Sequence, residues 1–167
     1  MFTAAVLTIS DKGSRGLRPD SSGPVIREII TRGRNRVIDY AIVPDEKEAI
    51  AAQLSHWADS GEIDIVFTTG GTGLSERDVT PEATLSVVDR TVPGLAEAMR
   101  AKSLEKTEMA MLSRATAGLR GRCLIINLPG SPRAVKECLE AIFPVLPHAV
   151  GIIKGEITEH APSEAGD

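Results

Sequence analysis

The sequence predicts an α/β fold with a mostly parallel sheet and helices on both faces. Three observations carry this reading. Short runs rich in Val, Ile, Leu and Thr alternate with segments whose apolar residues recur at helical spacing. The runs "TAAVLTI" (3–9) and "CLIINL" (123–128) are apolar enough to be buried strands. Between strand and helix stand loops crowded with Gly, Ser, Thr and Asp, and no repeat or low-complexity segment interrupts the alternation.

The first strand, 3–9, leads through a polar loop to "PVIREIITRG". There Val25, Ile26, Ile29 and Ile30 share a helical face, with Pro24 in the first turn and Gly33 just past the last. "RVIDYAIV" (36–43) reads as a second strand. "DEKEAIAAQLSHWADSG" places Ile50, Leu54 and Trp57 at helical spacing and stops at Gly61. "IDIVFTT" (63–69) is a third strand. "TPEATLSVVDR" opens a helix with Thr80 as N-cap and Pro81 at the first position. "PGLAEAMRAKSLEKT" and "EMAMLSRAT" have helical character. After the strand 123–128, "SPRAVKECLEAIFPVLPHAVGIIKG" closes the fold with Val135, Leu139 and Ile142 on one face, broken in two near Pro144 and Pro147. Residues 1–155 are expected to form one domain and 156–167 a polar, frayed tail.

The totals suit one globular domain: 167 residues, 42% apolar and 25% charged, with only 3% aromatic, so the core rests on Ile, Val, Leu and Ala. A net charge of −4 argues against a general nucleic-acid surface. The arginines of "TRGRNR" (31–36) read as a solvated helix end. Cys123 and Cys138 read as small buried apolar residues, and His56, His148 and His160 show no metal spacing. The N-terminus has no secretory pattern and no run suits a bilayer span, so a cytoplasmic location is expected, with no membrane partner.

In an open parallel sheet, ligands bind beyond the carboxyl ends of the strands. The segments there are "SDKGSRGLRPDSSG" (10–23), "PDE" (44–46), "TGGTGLSERD" (69–78) and "PGSP" (129–132). Glycines let backbone N–H groups approach an anion, and the helix starts at Thr80-Pro81 and Ser131-Pro132 favour phosphate. Lys12, Arg15, Arg18, Arg77 and Arg133 lie in or beside these loops. No G-x-x-x-x-G-K-[ST] or G-x-G-x-x-G motif is present, so "GGTG" alone leaves a tight turn and a phosphate site both open. Valine at Gly71 is expected to weaken ligand binding while the fold survives. Asp45, with Glu48 three residues on, has the form of a capping box. Asp78 could be a turn aspartate, Ser131 a cap and Arg77 a partner for a nearby acid.

"TTGGTGLSERDVTPEAT", with "ISDKGSRG", "DSSGP", "VPDE", "PGLAEAMR" and "NLPGSPRAVKECLEAI", closely resembles the molybdenum-cofactor biosynthesis domain, in its adenylyltransferase branch. The resemblance runs from about residue 4 to 150. It implies a three-layer α/β sandwich and a homotrimer. It implies transfer of AMP from ATP to molybdopterin with release of pyrophosphate, magnesium dependence, and a transient contact with the protein that inserts molybdate. It matches Asp45 and Asp78 to the family's catalytic, magnesium-directed acids. It places Ser10, Asp11, Thr69, Gly70, Gly71, Thr72, Gly73, Pro129, Gly130 and Ser131 in the phosphate and pterin pockets, without dividing them between the two substrates. The alternatives are a non-catalytic molybdopterin- or nucleotide-binding member and a hydrolase acting on a pyrophosphate-linked nucleotide. Retention of both acids favours the transferase.

Overall fold

A computed structural model describes residues 1–157. The tail from 158 on, with His160, lies outside the described residues. Six strands form one sheet: β1 (Thr3–Ile9), β2 (Arg36–Val43), β3 (Ile65–Thr69), β4 (Arg90–Thr91), β5 (Ala117–Arg120) and β6 (Cys123–Leu128), in the order β2-β1-β3-β6-β5-β4. The pairings β1–β2, β1–β3 and β3–β6 are parallel, and β4–β5 and β5–β6 are antiparallel. The helices are α1 (Asp11–Ser14), α2 (Gly23–Arg32), α3 (Lys47–Asp59), α4 (Thr80–Val87), α5 (Pro93–Leu104), α6 (Pro132–Ile142) and α7 (Leu146–Lys154).

Successive side chains of a strand point to opposite faces, so a strand covered on both sides needs a near-continuous apolar run. The central strands meet this demand. Ala4, Val6, Ile65, Phe67, Leu124 and Ile126 enter the core shared with α2, α5, α6 and α7. Ala5, Leu7, Val66, Cys123 and Ile125 enter the core shared with α3 and α4. The result is the three-layer arrangement, with both cysteines buried and unpaired. Trp57 lies in the α3 core as its spacing predicts, and its Nε1 donates to Asp39 at 2.8 Å.

Three local readings are corrected. The helix from Thr80 ends at Val87, and Arg90–Thr91 form a strand instead. Glu108–Leu112 are a 3-10 turn, after which the chain runs extended into β5. Residues 11–14, read as loop, make the one-turn helix α1, capped by Ser10 Oγ accepting the Gly13 N–H. The break near Pro144 and Pro147 holds: a 3-10 turn, Phe143–Val145, separates α6 from α7.

Candidate active site

Because β2, β1, β3 and β6 are neighbours and run parallel, their carboxyl ends bring all four polar loops to one rim. The loop after β3 lies at its centre. Gly70 (φ +100) and Gly71 (φ +64) are left-handed. A Cβ at residue 70 would lie 2.4 Å from the Ile9 carbonyl oxygen, and one at residue 71 would lie 2.4 Å from Thr80 Oγ1. Both positions therefore need glycine for conformation and for space.

Each carbonyl of this loop has a protein donor. Gly70 accepts from Thr80 Oγ1 at 2.9 Å, and Gly71 from the Thr80 N–H at 3.1 Å. Thr72 accepts from the Arg114 N–H at 2.9 Å, and Gly73 from Arg114 Nε at 2.7 Å. In a trans peptide the next N–H points opposite to the carbonyl. Each N–H of residues 71–74 thus points away from the donor that holds the preceding carbonyl, which leaves it open to an anion. Thr80 is not the N-cap its sequence suggests. It is the first helical residue, and its hydroxyl is committed to the loop.

Asp45 is corrected in the same way. The α3 N-cap is Glu46, with no side-chain capping bond. Asp45 instead faces the loop after β1: its Oδ2 accepts the Asp11 N–H at 2.7 Å, and its own N–H donates to Asp11 Oδ1 at 3.1 Å. Arg77 reaches across from the loop after β3 and grips Asp11 with Nε at 3.2 Å and Nη2 at 2.8 and 2.9 Å. That guanidinium holds the Asp11 carboxyl below the usual carboxylate range. Asp45 moves the other way. Burial raises it, the Asp11 N–H opposes that, and the charges of Asp11 and Asp78 add to the rise. Asp78 Oδ2 accepts the Ser75 N–H at 3.0 Å and lies 2.9 Å from where a Gly73 Cβ would be. The Oδ1 atoms of Asp45 and Asp78 have no protein hydrogen bond among the described residues.

Two clefts flank the glycine loop. The polar one, about 190 Å³, is lined by Thr8, Ser10, Ser22, Gly70 and Gly130, with Arg18 at its edge. Its wall is built on Asp20, whose carboxylate accepts from Thr8 Oγ1 (2.7 Å), Tyr40 Oη (2.6 Å) and the N–H groups of Ser22 and Gly23. Burial alone would raise that carboxyl, but these donors outweigh it and lower it; Tyr40 is pushed up to about 12, by burial first and Asp20 second. Ser22 Oγ then donates to the Gly130 carbonyl at 2.7 Å, and Thr69 Oγ1 to that of Pro129 at 2.7 Å, which fixes the loop after β6. The apolar cleft, about 280 Å³, lies between α5, the 3-10 turn and α6, where Met99, Met109, Ala115 and Cys138 meet Thr72 and Gly73. Ser131 is the α6 N-cap, accepting the Ala134 N–H.

The expected residues thus surround one loop, with Gly130 against Gly70 (3.5 Å from a built Cβ to Cα). Sequence reasoning missed Asp20, Asn127 and Arg114. "DSSGP" ahead of an apolar helix could have revealed Asp20, since an aspartate readily accepts N–H groups two and three residues on. Asn127 looked like one more strand residue, yet it is fully buried and donates to Thr68 and Thr84, fastening α4 to the sheet. Nothing in "EMAMLSRAT" marks Arg114.

Comparison with known proteins agrees with this fold. Residues 5–148 match a family model described as a probable molybdopterin binding domain. The molybdopterin adenylyltransferase of Helicobacter pylori is 45% identical over 152 residues, covering 90% of this chain and 86% of that protein. That of Escherichia coli is 37% identical, covering 94% of this chain and 88% of that one. The solved structure of the molybdopterin biosynthesis enzyme MoaB from Thermus thermophilus superposes with a TM-score of 0.88 at 54% identity, over 93% of this chain and 98% of that one. With the family model spanning most of its length and relatives this similar across nearly all of it, the chain belongs to the molybdenum-cofactor biosynthesis family.

Proposed function

We propose that the protein is a molybdopterin adenylyltransferase, joining AMP from ATP to molybdopterin and releasing pyrophosphate. The observation that carries this reading is one glycine loop flanked by a polar and an apolar cleft, with Asp78 against Gly73 and Asp45 in electrostatic reach of Asp78. Two phosphate-bearing substrates can then meet across Gly70–Gly73. A phosphate oxygen of molybdopterin attacks the α-phosphorus of ATP, the new P–O bond forms, and the bond to the pyrophosphate oxygen breaks. The attacking phosphate is already ionised near neutral pH, so orientation and charge placement do more than a general base. The loop N–H groups hold phosphate oxygens as charge shifts among them.

Among the described residues no group of three or more His, Cys, Asp or Glu side chains could hold a metal alone. The acids present nonetheless fit magnesium, which binds through one or two carboxylates and completes its shell with water and substrate phosphate. Asp45 and Asp78 would hold it by their Oδ1 atoms. When bound it would neutralise triphosphate charge and polarise the α-phosphoryl group. Asp11, gripped by Arg77, would have its charge partly offset by that guanidinium. The test is incubation with ATP, molybdopterin and magnesium, followed by product mass analysis. Adenylylated molybdopterin and pyrophosphate are expected only with magnesium present; intact substrates under all conditions would overturn the reading.

We also infer a homotrimer. Leu74, Met109 and Met111 are each 65% exposed and Leu112 47%, leaving apolar surface for a neighbouring copy beside the site. Light scattering after size exclusion should give three chain masses at micromolar concentration, and a single-chain mass would remove the claim. No described helix is long and apolar enough to cross a membrane, which is compatible with a cytoplasmic enzyme whose product passes to a molybdate-inserting partner.

A further inference from the structure

Arg114 lies outside every loop that the sequence marks, directly after the 3-10 turn and Ser113. Its backbone N–H donates to the Thr72 carbonyl at 2.9 Å and its Nε to the Gly73 carbonyl at 2.7 Å. Its Nη2 donates to the Asp78 carbonyl, and its Nη1 pairs with Glu82 in the first turn of α4. One side chain therefore joins the glycine loop, the peptide of Asp78 and the helix that follows. The planar guanidinium can do this because its donors leave in fixed, divergent directions; an ammonium on a flexible stem cannot hold three such acceptors at once.

The stretch between those anchors has little else to hold it. Leu74, Ser75, Glu76 and Arg77 are exposed. The Asp78 N–H donates to the Ser75 carbonyl, and Asp78 Oδ2 accepts from the Ser75 N–H. Both bonds are internal to the turn and would travel with it. The Arg77–Asp11 pair ties the turn to the loop after β1, not to the glycine loop. Among the described residues, Arg114 alone bonds to the glycine loop and Asp78 together.

We propose that Arg114 is a positioning residue for adenylyl transfer: its fork fixes the Asp78 carboxylate relative to the phosphate-receiving N–H groups of residues 71–74. Its guanidinium donors go to protein acceptors, and it lines neither cleft. This rests on the transferase reading, in which Asp78 and the loop must act on one α-phosphoryl group. A shift of about 1 Å between groups that act together can cost about 100-fold in rate.

The test compares Arg114→Lys and Arg114→Gln with the parent by steady-state kinetics with ATP, molybdopterin and magnesium, and by backbone hydrogen exchange on the free proteins. Both variants are expected to lose about 100-fold in kcat, with KM for ATP within about threefold of the parent, because the loop still binds phosphate but no longer in register with Asp78. Exchange protection should fall at the amides of Thr80 and residue 114, which donate to the Gly71 and Thr72 carbonyls, and stay at parental values in β1, β3 and β6. A kcat within twofold of the parent in both variants would overturn the proposal. So would a rise in KM with kcat unchanged, or a loss that merely follows the unfolded fraction. If the parent itself shows no turnover, the transferase reading fails; the exchange data then decide the clamp, and unchanged protection of the Thr80 and residue-114 amides overturns it.

Discussion

Valine at position 71 is expected to abolish measurable binding of both ATP and molybdopterin and to lower the melting temperature by roughly 6–12 °C. The sequence alone suggests that the fold survives this change, and the structure adds that it survives with a lower melting temperature. Gly71 has φ +64, and a Cβ there would sit 2.4 Å from Thr80 Oγ1. Holding a β-branched residue in the left-handed region costs about 1–3 kcal/mol. Displacing the Thr80 hydroxyl loses its bond to the Gly70 carbonyl, worth about 1 kcal/mol. The sum is about 3 kcal/mol, at about 2–4 °C each for a chain of this size. Binding suffers for a separate reason: the loop must rotate to relieve the clash, and its N–H groups rotate with it. Gly121→Val separates the two effects. Gly121 is also left-handed, at φ +53, but nothing lies within 4 Å of its built Cβ, and it sits in the β5–β6 turn. That variant should melt lower by the strain alone and bind both ligands as the parent does. Calorimetry below the melting range reads both; unchanged affinity in Gly71→Val would reduce the loop to a turn.

What the sequence made legible follows from what each residue needs nearby. The parallel half of the sheet was readable because burial on two faces forces unbroken apolar runs such as Val66-Phe67 and Ile125-Ile126. The antiparallel edge was not, because Arg90 and Thr91 are exposed and carry no alternation. The rim was readable because parallel strands deliver their following loops to one end. Its wiring was not, because hydrogen-bond partners lie far apart in the chain. Asp45 looked like a cap from the Glu48 beside it, but its partner is Asp11, 34 residues away. Arg114 serves Gly73, 41 residues back, and local pattern cannot express such a contact.

The Asp45→Asn variant should melt at or slightly above the parent at neutral pH while losing at least about tenfold in magnesium-dependent adenylylation, equivalent to about 1.4 kcal/mol of transition-state stabilisation. Burial raises the Asp45 carboxyl above its ordinary range, with the charges of Asp11 and Asp78 adding to the rise against the opposing Asp11 N–H and Arg77. A carboxyl raised on folding holds its proton more tightly in the folded state. Its favourable contribution is therefore full below its unfolded pKa and lost as pH rises through its folded value. At neutral pH the ionised group is a burden on the fold. Asparagine removes the charge and still offers an oxygen to the Asp11 N–H. Its advantage in melting should shrink as pH falls through the carboxylate range, where the parent's Asp45 regains its proton. Alanine offers no acceptor. Leaving the Asp11 N–H without its partner costs about 1 kcal/mol, so Asp45→Ala should melt about 2–4 °C lower and be no more active than the asparagine variant. Stability held or gained with activity lost is the behaviour of a charge kept for magnesium at a cost to the fold. Full activity in the asparagine variant would show that Asp45 serves only to join the loops after β1 and β2, and would leave Asp78 as the single carboxylate for the metal.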